Sequence, residues 1–82
     1  MIKVLFFARL REQLNCEGLE LDCADLSTVT DVHQHLLQQY PGWANFLEDR
    51  KLLVAVNQTL VKPQHPIAAG DEVAFFPPVT GG

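Results

Sequence analysis

Residues 72–78 read Glu72-Val73-Ala74-Phe75-Phe76-Pro77-Pro78. The first five form a strand signal, because β-branched and aromatic residues sit at successive positions with a turn just before them. Side chains alternate across a strand, so Val73 and Phe75 share one face while Ala74 and Phe76 share the other. Both faces are therefore apolar, and Phe75 and Phe76 cannot both lie beneath one helix. Pro77-Pro78 ends the strand, since neither residue has an amide hydrogen to give a ladder.

Upstream, Ala69-Gly70-Asp71 is a turn and Pro63 to Pro66 a loop. Lys51 to Val56 reads as a strand, too short and too β-branched for a helix. Asn57-Gln58 makes a tight turn into a further strand, Thr59-Leu60-Val61. At the other end of the chain, Ile2 to Ala8 reads as a first strand. Arg9 to Leu14 allows one helical turn, and Asn15 to Gly18 supplies turn chemistry. A second strand covers Leu19 to Cys23, where Leu19, Leu21 and Cys23 alternate with acids. Thr28 is placed to cap a helix, with Asp31 at the capping-box position. The helix runs to about Tyr40, with Val29, Val32, Leu36 and Tyr40 on one face, Leu37 widening it and Pro41-Gly42 ending it. Trp43 to Leu47 adds a short second helix. The order β-β-α-β-β-β with one main helix gives an α+β class.

The sequence has 82 residues, 48% of them apolar, and a formal charge of −4. That is one small domain with enough apolar material for a core. The charge disfavours a general nucleic-acid role, which needs clustered Lys and Arg. No stretch approaches a membrane span or a secretory signal, so the expected location is cytoplasmic. Cys16 and Cys23 form no metal-type spacing and are expected to be incidental. His33 and His35, two apart on a helix, do not face each other and are expected to be solvated. His65 reads as a loop residue. Asp71-Glu72 and Glu48-Asp49 read as solvated turn acids rather than acid/base pairs, and Arg11 as a surface residue available to an acidic partner group. Trp43 is expected in the core or between helix and sheet. No metal site is expected.

After Pro78 the chain reads Val79-Thr80-Gly81-Gly82. The domain is thus residues 1–78, followed by a flexible tail, 79–82. Glycines lack a Cβ, so such an end can thread a narrow channel. Four residues reach at most about 14 Å, enough to carry a carboxylate from a domain surface into a partner's site. A carboxylate at neutral pH is an anion and a poor electrophile. It needs activation, and no phosphate-cradling loop or nucleophile–base pair is evident in the chain.

The string GDEVAFFPPVTGG at 70–82 resembles the C-terminus of the small, sulfur-carrying subunits of molybdopterin synthase. The opening IKVLFFARLRE and the stretch LLVAVNQTLV are similar to the same family. The resemblance implies a ubiquitin-like β-grasp fold. It also implies that Gly82 is the reacting residue, adenylated by a ubiquitin-activating-type enzyme using ATP and then converted to a thiocarboxylate by a sulfur-donor system. The tail would enter the large synthase subunit and pass sulfur to the cyclic pyranopterin precursor, with two small and two large subunits in the assembly. No cofactor is expected on the chain itself. Phe7, Leu60 and Phe76 match the family's apolar docking patch on the open face of the sheet. A carrier for another pathway, such as thiamine thiazole formation, and a ubiquitin-like protein modifier are the competing expectations.

Overall fold

The computed structural model describes residues 1–22, 24–48 and 51–78. Its elements are β1 (Ile2–Phe6), α1 (Ala8–Leu14), β2 (Gly18–Leu21), α2 (Val29–Gln39), a 3-10 turn (Pro41–Trp43), α3 (Ala44–Leu47), β3 (Leu53–Val56), β4 (Thr59–Val61) and β5 (Glu72–Phe76). The strands form one sheet in the order β2-β1-β5-β3-β4. β1 and β5 are parallel, and the other neighbours are antiparallel. One main helix gripped by a five-stranded mixed sheet is the ubiquitin-like β-grasp, an α+β fold.

Alternation decides what each face of the sheet does. Ile2, Val4, Phe6, Val54, Val56, Val73 and Phe75 are buried on one face. Over them lie Val29, Val32 and Leu36 of α2, with Leu10 and Leu14 of α1 and Leu47 of α3. Trp43 meets Phe6 edge-on, ring centroids 5.5 Å apart, so it bridges helix and sheet as expected. Burying a side chain of this size contributes about 1.5–3 kcal/mol, so this layer dominates the stability of so small a chain.

The local signals act where the sequence puts them. The Thr28 hydroxyl accepts from the Asp31 amide at 3.3 Å, and the Asp31 carboxylate accepts from the Thr28 amide at 3.1 Å, completing the capping box. Asn57 and Gln58 both have positive φ, 50° and 71°, as a two-residue hairpin with right-handed twist requires. Gly70, at φ 91°, turns the chain into β5.

Other expectations change: β1 ends at Phe6 rather than Ala8, which opens α1, and β2 spans Gly18–Leu21 rather than Leu19 to Cys23. α1 has seven residues rather than one turn, held by buried Leu10 and Leu14 although no side chain caps it. Tyr40 leaves the helix (φ −131°, ψ 70°), because a residue before proline is pushed out of the helical region. It is exposed and stacks on Trp43 at 4.2 Å instead of joining the core. β3 starts at Leu53, two residues later than the expected Lys51.

Candidate functional site

The reacting residue expected at the chain end, Gly82, and the tail residues Gly81, Thr80 and Val79 lie outside the described residues, as does Cys23. What the structure does fix is where that tail begins. β5 is the middle strand of the sheet, and Pro77 and Pro78 follow it directly, both half-buried. The strand that carries the tail is thus clamped by ladders on both sides, to β1 and to β3.

Among the described residues no helix lies over the second face of the sheet. Cross-strand partners share a face, so the register sorts this face into rows. The row nearest the tail holds Leu53 paired with Phe76. Phe7 joins it: its backbone is extended (φ −123°, ψ 162°), and its amide donates to the Phe75 carbonyl at 3.2 Å, carrying the β1–β5 ladder one step beyond Phe6. The middle row is Leu60, Ala55, Ala74, Leu5 and Gly18. The far row is Glu72, Lys3 and Glu20. Two apolar rows next to the tail are therefore closed off by one charged row.

Phe7, Leu60 and Phe76 all lie on this face. Phe7 and Phe76 are neighbours in the first row, while Leu60 stands two strands away from β5 in the second. Phe7 is 46% exposed and Leu60 63%, and they are two of the four large hydrophobic side chains exposed among the described residues. Phe76 is half-buried. Ala55 and Ala74, between them, are small enough to be screened by their larger neighbours. Large apolar side chains thus stand at the surface in contiguous rows beside β5. Sequence alternation singled out Phe76; Phe7 and Leu60 needed the resemblance, because nothing local reveals which strands will flank β5.

Gly18 has a specific task in the middle row. A Cβ there would come within 2.5 Å of the Val4 carbonyl oxygen and 2.9 Å of Leu5 Cδ2. Its absence lets Leu5 lie against the backbone of β2.

Of the acids weighed as catalysts, Asp71 has a structural role, Glu48 is exposed, and Asp49 lies outside the described residues. The Asp71 carboxylate accepts from the Ala68 amide at 2.8 Å and from the Asn57 side-chain amide at 3.1 Å. The Ala68 bond, then the Asn57 bond, hold its pKa below the ordinary 3.8. Asp31 is lowered likewise, by the Ser27 and then the Thr28 amide. Asp71 is thus a fastener between two turns rather than merely a solvated acid. His33 is also more than a solvated residue. Its Nε2 bonds the Leu47 carbonyl at the end of α3, and its ring lies 5.9 Å from that of Phe75. Sequence reasoning missed this because it depends on where α3 docks. The Cys16 thiol, half-buried, donates to the Gly18 carbonyl at 3.4 Å. Arg11 is exposed, as expected.

On the helix side a hollow of about 260 Å³ is lined by Val29, His33, Leu47, Leu52, Val54 and Phe75, among others. No buried side-chain polar atom among the described residues lacks a partner, and no group of three or more His, Cys, Asp or Glu could hold a metal. No helix among them is long and apolar enough to cross a membrane.

A β-grasp domain whose central strand ends at Phe76 and runs into Pro77-Pro78, beside an apolar sheet face, has the architecture of a ubiquitin-like protein. The chain matches the ThiS family over residues 4–82, and it belongs to that family. It is 58% identical over 82 residues to the molybdopterin synthase sulfur carrier subunit of Escherichia coli, and 49% identical to that of Haemophilus influenzae, each match covering all of both chains. Among solved structures it resembles SAMP1 from Haloferax volcanii, with a TM-score of 0.81 and 30% identity over 99% of this chain and 98% of that one.

Proposed function

We propose that this chain is the sulfur-carrier subunit of a cytoplasmic molybdopterin synthase, with the Gly82 carboxylate as its working group. End-to-end likeness to the Escherichia coli carrier, without gap in coverage of either chain, is the observation that carries the reading. The sequence supports it with an end, Val79-Thr80-Gly81-Gly82, thin enough to enter an active site.

In this reading the carboxylate attacks ATP in an activating enzyme, giving an acyl adenylate and releasing pyrophosphate. A sulfur-donor system displaces AMP and leaves a thiocarboxylate. The large synthase subunit receives the tail and transfers the sulfur to cyclic pyranopterin monophosphate, and the carboxylate returns for another round. Two transfers build the dithiolene. ATP is consumed by the partner and no cofactor resides on this chain. The catalytic side chains belong to the large subunit, in an assembly of two small and two large chains. This chain supplies a rigid platform, a docking face formed around Phe7, Leu60 and Phe76, and a tail of fixed origin.

Reconstitution with the activating enzyme, a sulfur donor, the large subunit and the precursor tests the proposal. Intact mass should show one terminal oxygen replaced by sulfur, and molybdopterin should form. Removing Gly82, or adding one residue after it, should abolish transfer with unchanged folding. Molybdopterin formation by those variants would refute the role of Gly82. The modifier reading has support from the Haloferax volcanii likeness, since the chain is 28% identical to a solved structure of small archaeal modifier protein 1 from that organism. It predicts isopeptide bonds to lysines, and finding the chain only in such conjugates would replace the carrier reading.

A further inference from the structure

The open face carries a gradient of charge along its strands as well as its two apolar rows. The far row sets Lys3 between Glu20 and Glu72, leaving an excess of one negative charge, and Asp71 and Asp22 adjoin its strand ends. At the tail end the sign reverses. Continuing the β3–β4 register one step past Val54 and Val61 places Lys62 opposite Leu53, in the same row as Phe76 and Phe7. Lys62 follows Leu60 by two residues, so alternation turns both toward the open face. Arg9 follows Phe7 by two residues in the first turn of α1, and both cations are exposed. Arg11 shares a hollow with Glu12 and Glu17, so its charge is offset locally.

We infer that this gradient sets the rotational register of docking: the protein that receives the tail presents an acidic group to Lys62 and Arg9, and a basic group to Glu20 and Glu72. The inference rests on the carrier reading for the identity of that protein, the large synthase subunit. An apolar patch alone leaves rotation about its own normal poorly specified, because burial is non-directional. Charges of opposite sign at the two ends remove that freedom, since the reversed orientation sets like charges together. The consequence for the chemistry is that the chain leaving Pro78 always points the same way on arrival.

The test measures association of the purified chain with the large subunit by stopped flow across a salt series, comparing Lys62→Glu and Glu20→Lys with the parent. Both positions are exposed, and thermal unfolding confirms that each variant is folded. Lys62→Gln and Glu20→Gln repeat the test without charge reversal. One change makes the chain more acidic and the other less. If net charge alone steers the encounter, the two act in opposite directions on the rate. The gradient predicts that both slow association, by about threefold to tenfold at low salt, and that the differences vanish once screening shortens below about 5 Å. Opposite effects, or no effect of either change, would overturn the inference. A parent chain that does not bind the large subunit at all would instead refute the carrier reading on which it stands.

Discussion

Leu60→Ala should separate docking from folding. Leu60 is 63% exposed on an edge strand, and its cross-strand partner is Ala55. Fully burying a leucine contributes about 1.5–3 kcal/mol. The folded chain hides only about a third of this side chain, so folding stands to lose at most about 0.5–1 kcal/mol. The remaining two-thirds is available to a partner, which makes docking more sensitive, at about 1–2 kcal/mol, or roughly a fivefold to thirtyfold rise in Kd. Titration calorimetry with the large subunit reads the second quantity, and urea unfolding of the isolated chain reads the first. Phe7→Ala, at 46% exposure, is the companion on the far side of β5, and its effect should be divided more evenly. An unchanged Kd for Leu60→Ala would confine the docking face to the Phe7–Phe76 row. A stability loss above about 2 kcal/mol would mean that the open face belongs to the core, contrary to the exposure on which the reasoning rests.

Gly18→Ala should cost about 1–3 kcal/mol, lowering Tm by about 4–8 °C for each kcal/mol, because its Cβ would press on the Val4 carbonyl, a backbone group with no rotamer to escape into. Gly42→Ala, with no neighbour within 4 Å, is the control and should be neutral or slightly stabilising in the same thermal scan. Asp31 and Asp71 both have folded-state pKa values lowered from 3.8, so their carboxylates stabilise the fold above that pH and lose the contribution as pH falls through the lowered values. Stability measured against pH should therefore drop on the acid side below about 4, and Asp71→Asn should flatten that limb; an unchanged acid limb would contradict the assigned hydrogen bonds.

Much of this was legible because it is local. β5 was read with its observed boundaries, since turn, strand and Pro-Pro lie consecutively. The Thr28–Asp31 box and the Asn57-Gln58 turn are contained within four residues each. What failed depended on contacts from elsewhere. Tyr40 kept the helical spacing of Val29, Val32 and Leu36 but was overruled by the ring of Pro41. α1 starts at Ala8 with φ 57° and no side-chain cap, so its signal is the Leu10 and Leu14 pair, which acquires meaning only when the core exists. His33 and Asp71 looked idle because their partners, Leu47 and Asn57, are fourteen residues away. For the site, alternation could say that Phe76 and Phe75 part company. Which strands stand beside Phe76, and hence the rows on the open face, is a matter of long-range register that no local pattern contains.

The position of β5 at the centre of the sheet also governs how the molecule comes into being. It is the last of the elements to be translated, yet β1 and β3 both require it as their neighbour. Without it, the pairings left in the sheet are β1–β2 and β3–β4, each with an unsatisfied edge. Closure then waits on pairing Lys3 with Glu72, partners from nearly opposite ends of the chain, which is an inherently slow kind of contact to make. Nascent chains stalled or clipped short of residue 72 would be candidates for aggregation and proteolytic clearance. A chain that lacks residues 72–76 is left with two strand pairs and no ladder between them.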